Sequence, residues 1–148
     1  MDEKNLLQRM VNKTVIINAS SSKVWEFLTD IKLMKKWMFE TEIDIITDWK
    51  VGSPITIRVD WYKTQLENKG IILAFKPNKH LKYSHLSSLS RLPNTIENYS
   101  IIDFSLTEEE NQTALTITLS NFPTETIYKH LAFYWNITLE LLKKLIEQ

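Results

Sequence analysis

The chain has 148 residues, enough for one domain with a core of its own. Hydrophobic residues make up 43% of it and charged residues 24%, which is typical of a globular protein and not of a disordered or fibrous one. Its 18 basic and 18 acidic side chains cancel, so no charge excess predicts nucleic-acid binding, and the lack of cysteine excludes disulfides, thiolate nucleophiles and Cys-based metal sites.

The sequence shows no targeting signal. The first ten residues, MDEKNLLQRM, lack the apolar core of a secretory signal. No apolar run reaches the roughly 18 residues that a bilayer-spanning helix needs. We therefore expect a cytoplasmic protein without a membrane span.

The N-terminal part predicts one strand and two short helices. The segment NKTVIINA, ending at Ala19, is short and rich in β-branched residues, as strands are. The serines at 20–22 can cap a helix, and the apolar residues in VWEFL after them are spaced as one helical face. IKLMKKW, at 31–37, predicts a second short helix.

The middle of the chain predicts antiparallel strands. TEIDIIT leads to a turn at Gly52, after which apolar and polar residues alternate. The residues expected on the buried face are Ile55, Ile57, Val59 and Trp61. Those expected on the opposite face are Thr56, Arg58, Asp60 and Tyr62.

Further strand signals bring the expected total to seven. Gly70 is expected to open the strand IILAF, and LKYSHL follows a turn at Pro77. A long strand is predicted from about Thr95 to Thr107, and TALTITL follows the polar turn EEENQ.

The last segment predicts a long helix. Thr124 precedes it, and the pattern runs for about 22 residues to Ile146. Its apolar stripe consists of Leu131, Tyr134, Trp135, Thr138, Leu142 and Leu145. A curved antiparallel sheet with this helix across its concave face buries every apolar stripe, so we predict an α+β helix-grip fold in a single domain, residues 1–148.

Sequence segments spread over nearly the whole chain carry a family resemblance. They are VIINASSSKVWEFLTD with KKW after it, DWKVGS, GIILAFKPNKHLKYS, IIDFSLTEEENQTALTITLSNF and the helix from Trp135 to Leu145. In this order they resemble the START-like (SRPBCC) superfamily, in particular the subfamily named for the activator of a heat-shock chaperone's ATPase. The resemblance implies the helix-grip fold and a cavity between sheet and last helix that holds a hydrophobic or aromatic molecule.

Two positions depart from the pattern of that subfamily. Asn111-Gln112 replaces a glycine-rich turn, and Tyr134 stands where a glycine usually precedes the helix tryptophan. The whole chain has only two glycines. A tyrosine at a normally small position narrows any cavity beside it, so the size of the ligand stays open.

Catalytic and metal-binding motifs are absent from the sequence. It has no zinc-protease, nucleophile-elbow, phosphate-loop or dinucleotide pattern. His80 and His85 lie five apart on one predicted strand, so they face opposite sides and cannot chelate one ion. The acidic run 108–110 is expected in an exposed hairpin turn. We predict no metal, no cofactor and no assigned catalytic residue.

The aromatic content is the strongest functional signal, with five Trp, five Tyr and six Phe. Most should pack the core, but a helix-grip fold can leave a mostly apolar cavity with a few polar groups that orient a guest. The predicted ligand-binding residues are Trp37, Trp61, Tyr83, His85, Tyr99, Tyr134 and Thr138.

Three functions follow in order of preference. The first is binding of a small hydrophobic or aromatic molecule. The second is a cyclase- or hydrolase-like enzyme, for which His85 is the only reasonable cavity residue. The third is contact with a chaperone ATPase, which the subfamily name implies, although that activity usually depends on an additional domain for which this length leaves no room. The oligomeric state is open.

Overall fold

The computed structural model describes residues 9–39, 41–61 and 64–148, and of Trp61 only the backbone. The strands are β1 (Val11–Ile17), β2 (Ile43–Thr47), β3 (Pro54–Trp61), β4 (Thr64–Lys76), β5 (His80–Ser87), β6 (Ser100–Glu109) and β7 (Gln112–Ser120). The helices are α1 (Ser21–Thr29), α2 (Ile31–Trp37) and α3 (Glu125–Ile146). The α+β helix-grip prediction is confirmed: the described residues form seven strands, two short helices after the first strand and one long C-terminal helix.

The seven strands form one antiparallel sheet in the order β1-β7-β6-β5-β4-β3-β2. β1 and β2 are therefore the two edges, and α1 and α2 make the connection between them. The pairing of β1 with β7, from Val11 opposite Leu119 to Ile17 opposite Thr113, brings the start of the described chain beside its last strand.

Alternation along the strands separates the core from the solvent. In β3, Ile55, Ile57 and Val59 are buried while Arg58 and Asp60 are exposed, as predicted. The side chains of Trp61 and Tyr62 lie outside the described residues. Facing strands and α3 complete the core with Ile102, Phe104, Leu115, Ile117, Leu119, Leu131, Leu139 and Leu142.

Side-chain caps fix where the helices start. The Ser20 hydroxyl accepts a hydrogen bond from the Lys23 amide at 3.2 Å, and the Asp30 carboxylate accepts one from the Lys32 amide at 2.9 Å. The Thr124 hydroxyl accepts one from the Ile127 amide at 3.1 Å. The predicted bounds of α3 are confirmed.

The strand containing Gly70 starts earlier than predicted. β4 begins at Thr64, because it pairs with β3 in a register that places Trp61 opposite Thr64. Gly70 lies inside the strand, where a Cβ would come within 2.5 Å of the carbonyl carbon of Ser84 on β5. The glycine therefore marks a close approach of two backbones and not a strand start.

The long sixth strand starts later than predicted, at Ser100 instead of about Thr95. A 3-10 turn, Ile96–Asn98, occupies the intervening residues. The Asn98 side-chain amide donates to the carbonyl of Pro93 at 2.9 Å and to the hydroxyl of Thr95 at 3.1 Å. These local bonds compete with strand pairing and hold the turn.

Candidate ligand-binding site

A groove of about 560 Å³ lies between α3 and the β1–β7 side of the sheet. We call it the β1–α3 groove; it is lined by Val11, Asn12, Lys13, Ile117, Leu119, Ala132, Phe133, Trp135 and Asn136. Six of these nine residues are apolar. Phe133, whose exposed fraction is 69%, forms a rim that is open to solvent. The volume falls in the range of roughly 300–1,000 Å³ found for small-molecule sites.

The groove exists because the helix and the strand edge diverge. On the inner face of β1, Val15 and Ile17 are buried, whereas Val11 and Lys13 are only half-buried. On α3 the C-terminal residues Leu142 and Ile146 are fully buried. A twisted sheet and a nearly straight helix pack closely at one end, so the space between them widens toward the start of β1.

Lys13 bridges the groove from β1 to α3. Its ammonium donates to the backbone carbonyl of Asn136 at 2.9 Å and to the side-chain oxygen of the same residue at 2.7 Å. It also forms an ion pair with Glu140 at 3.2 Å. The positive charge on the groove wall is therefore balanced within the protein.

Trp135 forms the inner wall of the groove. Its side chain is 3% exposed and packs against the rings of Trp37, Phe104 and Tyr134, with centroid distances of 6.2, 5.4 and 5.0 Å. In the part of the chain that the structure describes, its indole Nε1 is the one buried side-chain nitrogen or oxygen without a hydrogen-bond partner. Burying an unpaired donor costs about 1–3 kcal/mol.

Trp135 belongs to a cluster of aromatic rings between α3 and the sheet. This aromatic cluster consists of Trp37, Phe39, Tyr83, Phe104, Tyr134 and Trp135. The Trp37 indole donates to the carbonyl of Phe27 at 2.9 Å, and the Tyr134 hydroxyl donates to the carbonyl of Met38. These two bonds anchor the cluster to the N-terminal helices.

Burial keeps the two cluster phenols neutral. Burial raises the pKa of Tyr83, and the neighbouring Tyr134 raises it further. Burial also raises the pKa of Tyr134, and a hydrogen bond with Thr138 lowers it by a smaller amount. Both hydroxyls therefore stay protonated even at alkaline pH, where an exposed tyrosine ionises.

The structure brings some of the predicted ligand-binding residues together and separates others. Trp37, Tyr83 and Tyr134 belong to the aromatic cluster, and Thr138 is buried one turn after Tyr134. Tyr99 lies at the loop before β6, where its hydroxyl donates to the side chain of Asn94. The side chain of Trp61 is outside the described residues.

His85 is half-buried on β5 and lies in register with Ser100 of β6. Burial lowers the pKa of His85 to about 4, and His130 on α3 lowers it further. The ring is thus neutral at pH 7. A general acid–base works best with a pKa near the working pH, and the pKa of His85 lies well below it.

His80 is placed apart from His85. Both histidines are on β5, but the Nε2 of His80 contacts the carboxylate of Asp103 on β6 at 2.9 Å. Among the described residues, no group of three or more His, Asp or Glu side chains could hold a metal ion. None of the helices in the described ranges is both long enough and apolar enough to cross a membrane.

The sequence interpretation missed the residues that line the groove. Its interpretation of Trp135 as a core residue is confirmed, but it did not place Lys13, Phe133 or Asn136 beside an opening. One signal was available: Lys13 occupies an inner-face position of a strand in which Val15 and Ile17 are buried. A cation at such a position needs a partner, which indicates a nearby opening or an ion pair.

The fold and the groove define a helix-grip domain of the START-like superfamily, a fold that commonly binds hydrophobic ligands. Residues 18–147 match the family model described as activator of Hsp90 ATPase homolog 1-like protein. The chain belongs to this family.

Solved structures agree with this assignment. A protein from Cytophaga hutchinsonii is 35% identical, with 95% of each chain covered and a TM-score of 0.81. The Aha1 dimer from Colwellia psychrerythraea is 27% identical over 95% of this chain and 97% of that one, with a TM-score of 0.73. A protein from Mesorhizobium loti is 25% identical over 93% and 96%, with a TM-score of 0.75. No curated protein matches the chain.

Proposed function

We propose that the protein binds a small hydrophobic or aromatic molecule in the β1–α3 groove. The observation that carries this proposal is the open, mainly apolar space of about 560 Å³ between the sheet and the C-terminal helix. The fold family supports it, because proteins of this fold commonly bind hydrophobic ligands.

The groove can supply modest affinity. Each 100 Å² of apolar guest surface that the groove buries contributes about 2.5 kcal/mol before the entropy of association is subtracted. That loss and the ordering of side chains such as Phe133 reduce the net value, so we expect weak binding, with dissociation constants in the millimolar range.

In this proposal, the predicted ligand-binding residues in and beside the aromatic cluster form the inner end of the site. Trp135 lines the groove on one side and contacts Trp37 and Tyr134 on the other. A longer guest would reach Tyr83, His85 and Thr138 only by displacing the Trp135 ring. We infer that a short guest occupies only the groove and leaves the Trp135 ring in place.

A filling substitution tests the proposed site. Ala132 lies on the α3 side of the groove, so Ala132→Trp should occupy its volume. Thr126→Trp is the matched control, because it adds the same ring at an exposed position of α3. A ligand that binds the native state raises the melting temperature. We expect 2-acetylnaphthalene to raise it for the wild type and for Thr126→Trp but not for Ala132→Trp; an equal rise in all three would contradict the groove as the site.

A second candidate function is contact with a chaperone ATPase. The family description names the activator of Hsp90 ATPase. On α3, the large apolar side chains of Phe133, Ile137 and Leu141 are 69%, 51% and 48% exposed at four-residue spacing. Such a row is suited to protein contact. Calorimetric titration of the protein into purified Hsp90 tests this candidate. Binding by the wild type that is lost in the double variant Ile137→Glu/Leu141→Glu would support it. The absence of binding heat with the wild type would contradict it.

A further inference from the structure

The outward face of α3 carries a row of large apolar side chains. Phe133, Ile137 and Leu141 are exposed and follow one another at four-residue spacing, so they form one ridge about 12 Å long on the side of the helix away from the sheet. We call these three residues the α3 row. Exposed apolar side chains that are contiguous on a folded protein mark a contact surface.

The helices around the α3 row are basic. With histidine neutral, α1, α2 and α3 together carry seven lysines and three glutamates, a formal charge of +4. The seven strands carry five cations and six carboxylates, a formal charge of −1. The seven helical lysines are Lys23, Lys32, Lys35, Lys36, Lys129, Lys143 and Lys144. A chain without net charge therefore has a positive helical side.

Most of this positive charge is not used inside the protein. The carboxylate of Glu125 pairs with Lys129 at 3.6 Å, and that of Glu140 pairs with Lys13 on β1 at 3.2 Å. Among the described residues, no ion pair involves the lysines of α2 or Lys143 and Lys144 of α3. These five ammonium groups are available to an external anion.

The α2 lysines and the α3 row belong to the same side of the molecule. Trp37 of α2 packs against Trp135 of α3 at a centroid distance of 6.2 Å, so both helices cover the same face of the sheet. The three lysines of α2 are exposed, on the side of that helix away from the buried Met34 and Trp37. The exposed surface of the helices thus combines an apolar row with unpaired cations.

The composition of this surface favours a lipid bilayer over a second protein. Protein interfaces are enriched in arginine and depleted in lysine, whereas all three arginines of this chain lie outside the helices. A second copy of the chain would bring like charges together. Helices that lie on membranes have the composition seen here, with phenylalanine and leucine beside lysines that attract anionic head groups.

We propose that the protein docks on the surface of an anionic lipid bilayer through the α3 row and the lysines of α2 and α3. The apolar side chains enter the boundary between head groups and acyl chains, and the ammonium groups bind lipid phosphates. Such docking is peripheral and reversible. It does not require a guest in the β1–α3 groove, so docking and guest binding can be tested separately.

Co-sedimentation with vesicles tests the charge requirement. We expect the wild type to bind vesicles of equal parts phosphatidylcholine and phosphatidylglycerol at low salt, to be released by added salt, and not to bind phosphatidylcholine alone. Lys35→Gln/Lys36→Gln should weaken binding by about tenfold. Lys76→Gln/Lys82→Gln is the matched control, because it removes two lysines from the strands and should bind as the wild type does.

A second pair of variants tests the α3 row. Ile137→Ser/Leu141→Ser changes side chains that are 51% and 48% exposed, and we expect it to weaken binding by about tenfold or more. The matched control is Ile46→Ser/Ile71→Ser on the opposite face of the sheet, where the side chains are 52% and 45% exposed. It should keep the wild-type affinity. Urea unfolding verifies that each variant is folded.

A fluorescent label reports which face meets the lipid. Because the chain has no cysteine, Ile137→Cys and Ile46→Cys each accept a single nitrobenzoxadiazole label. We expect its emission to shift to the blue with anionic vesicles at position 137 and to stay unchanged at position 46. The proposal is wrong if the wild type does not bind the mixed vesicles at low salt, if it binds both kinds of vesicle equally, or if the variants and their controls lose equal affinity. The α3 row then stays a surface for protein contact, and the test of the groove with 2-acetylnaphthalene is unaffected.

Discussion

The hydroxyl of Tyr134 on α3 donates a hydrogen bond to the backbone carbonyl of Met38, the C-cap residue that follows α2. The Tyr134 ring also packs against Phe39 at a centroid distance of 5.7 Å. The tyrosine therefore fills the α2 side of the space under α3, and the opening that the structure shows lies on the β1 side.

The bond between Tyr134 and Met38 should contribute measurably to stability. Tyr134→Phe removes the donor and leaves the ring, so we expect the free energy of unfolding to fall by about 0.5–1.5 kcal/mol. Urea unfolding measures this change. Tyr128→Phe is the matched control, since Tyr128 is a half-buried tyrosine whose ring packs on Phe122; equal losses in the two variants would contradict a specific role for the Tyr134 hydroxyl.

The two glycines should respond very differently to alanine. At Gly70 a Cβ would collide with the Ser84 backbone, which cannot move without breaking the β4–β5 pairing. We expect Gly70→Ala to lower the free energy of unfolding by more than about 3 kcal/mol or to prevent folding.

Gly52→Ala is the control for that variant. Gly52 has a φ of 90°, and no atom lies within 4 Å of the point where a Cβ would stand, so only backbone strain opposes the change. We expect a loss of about 1–2 kcal/mol, measured by urea unfolding. A Gly70→Ala variant as stable as Gly52→Ala would mean that β4 and β5 are farther apart than the structure shows.

His85 should make stability pH-dependent. An unfolded histidine titrates near 6.5, whereas burial lowers the pKa of His85 to about 4 in the fold. Between these values the unfolded state binds more protons, so the stabilisation is complete above pH 6.5 and is lost as the pH falls toward 4. From pH 7 to pH 5 the wild type should lose about 2 kcal/mol more than His85→Gln. Urea unfolding measures both proteins at the two pH values. An equal loss of unfolding free energy in the two proteins would contradict the lowered pKa of His85.

Trp135 should be a major contributor to the core. It is 3% exposed and contacts three other rings, so Trp135→Ala should lower the free energy of unfolding by about 3–5 kcal/mol. Phe133→Ala on the same helix removes a ring that is 69% exposed and should cost less than about 1 kcal/mol. Thermal or urea unfolding compares them, and a loss below about 1 kcal/mol for Trp135→Ala would show that the ring is not part of the core.

Local patterns were enough to predict much of the fold. The alternation in β3 predicted the buried positions Ile55, Ile57 and Val59, because neighbouring side chains in a strand point to opposite faces. The cap at Thr124 and the apolar stripe predicted α3, although Leu139 and Ile146, both fully buried, were left out of the stripe. Each of these features depends on residues close together in sequence.

Features that depend on distant residues were not predictable in the same way. The close approach of Gly70 to Ser84 requires knowledge of the β4–β5 register. The position of the groove depends on where α3 separates from β1, and the unpaired indole of Trp135 depends on every ring around it. Aromatic content alone predicted a site under the helix but could not tell which rings pack against one another and which line an opening.

The most direct test of the account is the location of a bound guest. Intermolecular nuclear Overhauser effects between 2-acetylnaphthalene and the protein methyl groups report it at atomic distance. The β1–α3 groove predicts contacts to the methyls of Val11, Ile117 and Leu119. Contacts confined to Ile46 and Ile71, which are exposed on the opposite face of the sheet, would contradict it.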